Sequence, residues 1–171
     1  MADAFRLVTP RTLIRSVAAA DLPQLYAIAT RPEVARMLFV FAPDMGRAAF
    51  DAIFPPGARV PPFRAAIERD GRVIGSIGIG AGATPPVYYF LAPEAAGQGL
   101  ATEVVGAFAA EMVARHAPAA LTAEVFADNP ASARVLEKCG FARVEARSLS
   151  SAARPAPAPG WLFRRPGAPG L

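Results

Sequence analysis

A glycine turn between a strand pattern and a helix pattern is the stretch best suited to hold a ligand. The apolar run at residues 87–91 predicts a strand, and helical periodicity begins near residue 100. Between them, Gly97 and Gly99 let the backbone turn sharply, so that successive amide N–H groups converge. The first helical turn adds partial positive charge. We therefore expect a phosphate group at the amides of Gln98, Gly99, Leu100, Ala101 and Thr102.

The residues around this turn exclude two common phosphate-binding motifs. A P-loop needs a lysine directly after its last glycine, and Lys138 is the only lysine in the chain. A dinucleotide-binding motif needs a third glycine three positions after the second, where this sequence has Thr102. The turn is therefore assigned to neither class.

Residues 96–101, Ala-Gly-Gln-Gly-Leu-Ala, resemble the pyrophosphate loop Q/R-x-x-G-x-G/A of the Gcn5-related N-acetyltransferases (GNAT), with Ala96 departing at the first position. The continuation Gly-Leu-Ala-Thr-Glu is similar to that of the RimJ/RimL-like branch, which acylates protein N-termini. Residues 129–141, from Asn129 to Phe141, resemble the later family motif N-x-x-S/A-x-x-x-Y/L-x-K-x-G-F. The two motifs identify the chain as a member of this superfamily, over roughly residues 11–147.

The resemblance implies acetyl-CoA (coenzyme A) as the donor and acetyl transfer to an amine by direct attack in a ternary complex. It implies that residues 87–91 form one of two splayed strands that bind the pantetheine arm. The cofactor-binding residues expected on this basis are Phe90, Leu91, Gly97, Gln98, Gly99, Leu100, Ala101, Thr102, Asn129 and Ser132.

Catalysis by this route needs a proton for the departing thiolate. Many family members have a tyrosine where this chain has Leu136, which has no proton to donate. Ser132, at a position where the branch has a serine, is the first candidate, and the alternative is that it caps a helix or binds cofactor oxygens. Tyr88 and Tyr89 point to opposite faces of their strand, so one of them faces the reaction. We assign Tyr89 to catalysis and Tyr88 to the substrate.

No general base is identified by the sequence. Residues 148–152, where some members have a glutamate, contain no carboxylate. Glu145 is nearby, and Glu103 in the first helical turn is better explained by the helix dipole.

The segment before residue 63 is expected to frame the acceptor groove. Phe39 and Phe41 are the substrate-binding candidates there, together with Tyr88. The alternative is that these phenylalanines, like Phe50 and Phe54, belong to the core.

Composition predicts one domain at residues 1–165, with a stiff proline-rich stretch at 154–159, and a flexible tail at 166–171. The resemblance implies the α/β (α+β) fold of the superfamily, a mixed, mostly antiparallel twisted sheet of about six to seven strands, splayed at the cofactor site and flanked by about four helices. A hairpin is expected at Asp70-Gly71. Four nearby glycines indicate a bulge or a close approach by a ligand: Gly75, Gly78, Gly80 and Gly82.

The net charge is +4, and the basic residues, all arginines except Lys138, are scattered along the chain and form no basic cluster in the sequence. Nucleic acid is therefore not an expected partner. One His and one Cys exclude a zinc cluster of the usual kind, and no metal is expected. The single Cys139 fits a reducing compartment, and no secretion or membrane segment is expected, so the predicted location is cytoplasmic.

Three functions remain open. The first is N-terminal acetylation of a protein or peptide, by a monomer or homodimer. The second is acetylation of a small amine such as an antibiotic, amino acid or polyamine. The third is a non-catalytic acyl-CoA sensor, which the missing tyrosine, the missing base and Ala96 would suit.

Overall fold

The structure is a computed structural model that describes residues 4–169. The first half of this chain forms an antiparallel sheet in which each strand pairs with the next one in sequence. Its strands are β1 (Arg6–Val8), β2 (Leu13–Ser16), β3 (Phe63–Arg69), β4 (Arg72–Ile79) and β5 (Val87–Leu91). The β3–β4 turn is Asp70-Gly71, as predicted. Both residues have positive φ, 51° and 75°, which the tight hairpin turn requires.

The second half forms a three-stranded antiparallel sheet, in the order β6-β8-β7. Its strands are β6 (Ala120–Phe126), β7 (Ala142–Leu149) and β8 (Ala158–Pro166). The two sheets meet where β5 and β6 approach in parallel, through an isolated bridge between Pro86 and Thr122. Beyond the bridge β5 and β6 do not pair, although all their residues have N–H groups. The expected mixed, mostly antiparallel α/β fold is confirmed, with eight strands among residues 4–169 divided between two sheets where about six to seven in one sheet were expected.

Helices cover both faces of the first sheet. They are α1 (Leu22–Ala29), α2 (Pro32–Ala35), α3 (Arg47–Ile53), α4 (Leu100–His116) and α5 (Pro130–Lys138). On one face, Val104, Phe108 and Met112 of α4 lie one turn apart and pack with Ile67 and Ile77. On the other face, α1 and α3 pack against Ala66, Val73 and Phe90. The fold is therefore three-layered, and the gap between β5 and β6 opens toward the start of α4.

The glycines of β4 make room for protein atoms. A Cβ on Gly75 would lie 2.1 Å from the Phe90 carbonyl oxygen, and a Cβ on Gly78 would lie 2.4 Å from Cε2 of Tyr88. On Gly80 it would lie 2.8 Å from the ring of Pro86. The close approach at these three positions is therefore made by β5 and Pro86. The expected bulge is also present: Ile67 pairs with Gly75 and Glu68 with Val73, so Ile74 is the extra residue and the bulge lies in β4.

The chain after β7 is anchored more firmly than its composition indicates. Arg154 donates to both carboxylate oxygens of Asp128, at 3.0 and 2.8 Å, and its guanidinium lies 3.8 Å from the centroid of the Phe126 ring. Strand β8 includes Pro166, and the Gly167 N–H donates to the Ala119 carbonyl. Residues 166–167 of the expected flexible tail are therefore paired, while residues 170–171 lie outside the described chain.

Asp21 is the N-cap residue of α1, but its side chain forms no capping hydrogen bond with that helix. Its carboxylate instead accepts from both terminal nitrogens of Arg15, at 2.7 and 2.9 Å, and from the Ala18 N–H at 2.7 Å. Burial works to raise the pKa of Asp21, but these hydrogen bonds prevail, and the pKa lies below the ordinary 3.8. Asp21 therefore ties β2 to the start of α1.

We expect Asp21→Asn to lower the free energy of unfolding by about 2 kcal/mol, because it removes one of the two carboxylates that pair with the partly buried Arg15 and leaves only Glu68. The lost contribution is complete above the unfolded pKa and disappears as pH falls through the lower folded pKa, so the variant and wild type should converge in acid. Urea titrations at neutral and acid pH measure this. Asp51→Asn, which breaks an exposed pair with Arg47, is the control and should cost less than about 0.5 kcal/mol. An equal cost for both variants would contradict the assignment.

Candidate active site

A cleft of about 790 Å³ lies between β5 and β6. Tyr88, Tyr89, Phe90 and Leu91 form one wall, and the residues of β6 and α5 form the opposite wall. The start of α4 closes one end, and residues 33–39 border the cleft from the other helical layer. Among residues 4–169, β5 pairs with β6 only at the Pro86 bridge. The edge of β5 that faces the cleft therefore presents unpaired backbone groups to a ligand.

The glycine turn lies at this end of the cleft. Gly97 and Gly99 both have φ of 74°, and Gly99 is the N-cap of α4 in a left-handed conformation. No side chain caps the helix, so its first amide donors have no partner within α4. Gly97, Gly99, Leu100, Ala101 and Thr102 all line the cleft. The geometry suits an anion bound at the helix start.

Gln98 differs from the rest of the turn. It does not line the cleft, its amide nitrogen donates to the Glu94 carbonyl, and its amide oxygen accepts from Arg69 at 2.7 Å. The Gln98 carbonyl accepts from Arg11 at 2.7 Å. Gln98 therefore fixes the outside of the turn.

Glu103 joins the turn to the β1–β2 connection. Its carboxylate accepts from the Thr9 hydroxyl at 2.8 Å, from the Arg11 backbone N–H at 3.1 Å and from Arg11 Nε at 2.9 Å. Partial burial works to raise the pKa of Glu103, but the Arg11 and Thr9 hydrogen bonds prevail and the pKa is lowered. These contacts account for Glu103 more fully than the helix dipole does, and they leave it unsuited to act as a base.

Tyr89 and Ser132 form a hydrogen-bonded pair across the cleft. Their hydroxyl oxygens are 2.7 Å apart, and both residues line the cleft. Burial raises the pKa of Tyr89 to about 12, against a lowering effect of the Ser132 hydrogen bond. The phenol is therefore protonated at neutral pH. The sequence placed both residues among the catalytic candidates, and the structure brings them together.

The helix-capping role is taken by Asn129. Its side-chain oxygen accepts from the Ser132 backbone N–H at 3.3 Å, which leaves the Ser132 hydroxyl free to bond Tyr89. Leu136, at the position where a tyrosine is common, is buried and lines the cleft with an apolar side chain. Capping therefore does not account for the Ser132 hydroxyl.

The two phenylalanines expected to bind substrate have different positions. Phe39 borders the cleft and stacks on Phe126, with ring centroids 5.2 Å apart. Phe41 is 1% exposed and packs between Phe50, Phe54 and Phe90. Its assignment to the cleft lining is therefore wrong, because this side chain fills the second core.

Sequence analysis did not identify Glu124, one of two glutamates that line the cleft among residues 4–169. Among residues 4–169, only Glu33 and Glu124 line it with a carboxylate. Glu124 is on β6, opposite β5, and its carboxylate accepts from Arg147 at 2.7 Å. Glu145, the earlier candidate, is exposed on β7 and pairs with the same arginine at 3.2 Å. A lone acidic residue in the apolar strand β6 was the available indication of Glu124.

Cys139 is half-buried at the end of α5. Its thiol donates to the Thr102 carbonyl at 3.4 Å, and burial raises the thiol pKa. A protonated, partly buried thiol is a poor nucleophile. We expect Cys139→Ala to keep kcat within about threefold of wild type. Steady-state kinetics of the folded variant measures this. A fall in kcat of about a hundredfold, the size expected when a proton-transfer group is removed, would contradict it.

Two further searches of residues 4–169 were negative. No group of three or more His, Cys, Asp and Glu side chains is placed to hold a metal ion. No helix in the same range has the length and apolar character needed to cross a membrane.

Comparison with known sequences gave one match. The family model described as an acetyltransferase (GNAT) domain matches residues 11–142. No curated protein matches the chain significantly in sequence.

Several solved structures share the fold. The GNAT-family acetyltransferase from Bacillus anthracis has a TM-score of 0.80 and 16% identity, over 95% of this chain and 98% of its own. The ribosomal alpha-N-protein acetyltransferase RimL, in complex with coenzyme A, has a TM-score of 0.77 and 13% identity, over 96% and 98%. AAC(6')-Ib, in complex with ribostamycin and coenzyme A, has a TM-score of 0.74 and 17% identity, over 91% and 93%.

Proposed function

The chain belongs to the acetyltransferase (GNAT) family, and we propose that it transfers the acetyl group of acetyl-CoA to the N-terminal α-amine of a protein or peptide. Membership of this family implies that acetyl-CoA is the acetyl donor. The observation that carries the proposal is the Tyr89–Ser132 pair, which lies in the same cleft as the uncapped start of α4.

The residues of the cleft fit the donor along its length. The uncapped amides of residues 99–102 suit the pyrophosphate, because they are unpaired donors at a helix N-terminus. The open edge of β5 suits the amide groups of the pantetheine arm, because they can extend the sheet by one strand. This arrangement directs the thioester toward Tyr89 and Ser132.

Acetyl-CoA supplies a thioester whose carbonyl carbon the acceptor amine attacks, so that a C–N bond forms and the C–S bond breaks. The backbone of β5 orients that carbonyl and donates a hydrogen bond to its oxygen. We assign the Tyr89 phenol as the donor and the Ser132 oxygen as the acceptor of their hydrogen bond, so that Ser132 gives its own hydrogen to the departing sulfur as it takes that of the phenol, which water then restores. The proton that the amine loses passes to water, because Arg147 holds Glu124, on the opposite strand, in an ion pair.

Two observations favour a peptide acceptor. The sequence Gly-Leu-Ala-Thr-Glu after the turn resembles the branch that acylates protein N-termini, and RimL shares the fold. The complex of AAC(6')-Ib with ribostamycin makes an aminoglycoside the second candidate. A polycationic acceptor needs several carboxylates, whereas Glu33 and Glu124 are the only two that line the cleft among residues 4–169. The peptide is therefore the better supported acceptor.

The test is thiol release from acetyl-CoA across a panel of amines. The panel holds peptides with free and blocked N-termini, aminoglycosides, polyamines and free amino acids. We expect release with free N-terminal peptides and none with their blocked forms. Release only with a small amine would replace the peptide by that amine. Tight acetyl-CoA binding in calorimetry without release for any amine would favour the sensor.

A further inference from the structure

Arg64 of β3 is an enclosed cation without a counter-ion. Its guanidinium carbon lies 4.0 Å from the ring centroid of Tyr88, 5.3 Å from that of Phe41 and 5.5 Å from that of Phe54. No carboxylate among residues 4–169 lies within salt-bridge distance of it, and its guanidinium makes no side-chain hydrogen bond in that range. Desolvation by burial lowers the pKa of Arg64. Aromatic faces are the protein groups that compensate its charge among residues 4–169, and none of its nitrogens is a fully buried atom without a partner, so water reaches the guanidinium.

Several arginines near the cleft are paired, whereas Arg64 and Arg134, of which Arg134 lines the cleft, form no salt bridge among residues 4–169. Arg31 pairs with Glu94, Arg147 pairs with Glu124, and Arg36 and Arg154 share Asp128. A desolvated cation is costly unless an anion or a π-face compensates it. Aromatic rings supply only part of this compensation and leave the donors of the guanidinium edge unused. Arg64 therefore retains the capacity to bind an anion.

The neighbouring strand leaves space for this arrangement. Arg64, Gly78 and Tyr88 are aligned across β3, β4 and β5. A Cβ on Gly78 would lie 2.9 Å from Cγ of Arg64 and 2.4 Å from the Tyr88 ring. The absent side chain at Gly78 lets the guanidinium reach Tyr88, which lines the cleft. Arg64 does not itself line the cleft, but its guanidinium lies against the ring of Tyr88, which does.

We propose that Arg64 binds a carboxylate of the acceptor, so that the enzyme selects anionic amines. This inference rests on the proposed function and names its substrate class. The guanidinium fork matches a carboxylate in two parallel hydrogen bonds. Tyr88 and Tyr89 are adjacent and point to opposite faces of β5, so an acceptor whose carboxylate meets Arg64 beside Tyr88 must extend past the edge of β5 to bring its amine to Tyr89. The carboxylate comes from a free amino acid or from an acidic side chain near a peptide N-terminus.

Two acceptor pairs distinguish these sources. The first pair is free serine and serinamide, and the second is a C-terminally amidated peptide that begins Ser-Glu and its counterpart that begins Ser-Gln. We expect wild type to prefer the carboxylate member of one pair by about tenfold or more in kcat/KM, because a charge-assisted hydrogen bond is lost in the neutral member. Arg64→Met should remove that preference and leave the neutral member within about threefold.

Three controls accompany the experiment. Arg72→Met removes the same charge from an exposed turn of the same hairpin and should keep the preference. Arg64→Lys keeps the positive charge but lacks the forked guanidinium, so it should keep part of the preference for the carboxylate acceptor. Unchanged calorimetric binding of acetyl-CoA shows that each variant is folded. Equal loss for both members of a pair, or no preference in wild type, overturns the assignment of Arg64 while acetylation itself stands. Absence of turnover with every acceptor overturns the proposed function, and this inference with it.

Discussion

Replacement of Gly99 by valine is expected to weaken coenzyme A binding by about a hundredfold or more, equal to about 2.7 kcal/mol. Gly99 has φ of 74° at the start of α4, a conformation that a β-branched residue strongly disfavours. Only Nη2 of Arg11, at 3.5 Å, lies near its hypothetical Cβ. The free protein therefore has room for the side chain, and the loss comes from a distorted turn and from the volume that the pyrophosphate needs. Isothermal titration calorimetry with coenzyme A measures it.

Gly71→Val is the matched control, because Gly71 has φ of 75° and open space around its hypothetical Cβ. It occupies the β3–β4 turn, away from the cleft. The backbone strain should be similar in the two variants, so both should lose stability, but Gly71→Val should bind coenzyme A with wild-type affinity. Unchanged affinity in Gly99→Val would refute the assignment of this turn to the pyrophosphate.

Ser132→Ala is expected to lower kcat by about tenfold to a hundredfold while coenzyme A affinity stays within a few fold. In the proposed mechanism the Ser132 hydroxyl interacts with the departing sulfur only as the C–S bond breaks, so its loss should affect the transition state alone. Water remains an alternative proton source, which limits the fall. Tyr89→Phe should reduce kcat by a similar factor, because it removes the partner that orients the Ser132 hydroxyl.

A variant that carries both Ser132→Ala and Tyr89→Phe tests whether Tyr89 and Ser132 act as a unit. A coupled pair predicts a loss in the double variant close to that of one single variant, whereas independent roles predict the product of the two. Single-turnover kinetics with saturating acetyl-CoA isolates the chemical step. An increase in KM with unchanged kcat for Ser132→Ala would show that Ser132 holds the cofactor and has no part in proton transfer.

Local sequence patterns predicted most elements of the fold. The Asp70-Gly71 turn, β5, the start of α4 at Leu100 and the start of α5 at Pro130 were all placed correctly, because each depends on residues close in sequence. Strand β1 was missed, since it has three residues and is recognisable only through its pairing with β2. The division into two sheets was missed because it depends on how little β5 and β6 pair.

The site was predictable where motifs specify it and unpredictable where distant residues meet. The turn at Gly97 and Gly99 follows from local backbone requirements. The contact between Tyr89 and Ser132 joins residues 43 positions apart. The sequence indicated each residue as a candidate but did not indicate that they form a hydrogen bond. Phe41 was misplaced because an aromatic residue beside a helix has the same pattern in a groove as in a core. The positions of Glu124 and Arg64 relative to the cleft depend on how the neighbouring strands pair, which the local sequence does not specify.

Mass spectrometry of a peptide with a free N-terminus and an internal lysine, incubated with acetyl-CoA and the enzyme, tests the central claim most directly. The account predicts one acetyl group per peptide, located by fragmentation on the α-amine, with a matching release of coenzyme A. Gly99→Val should give none under the same conditions. Acetylation of the lysine alone, or release of coenzyme A without any acetylated peptide, would contradict it.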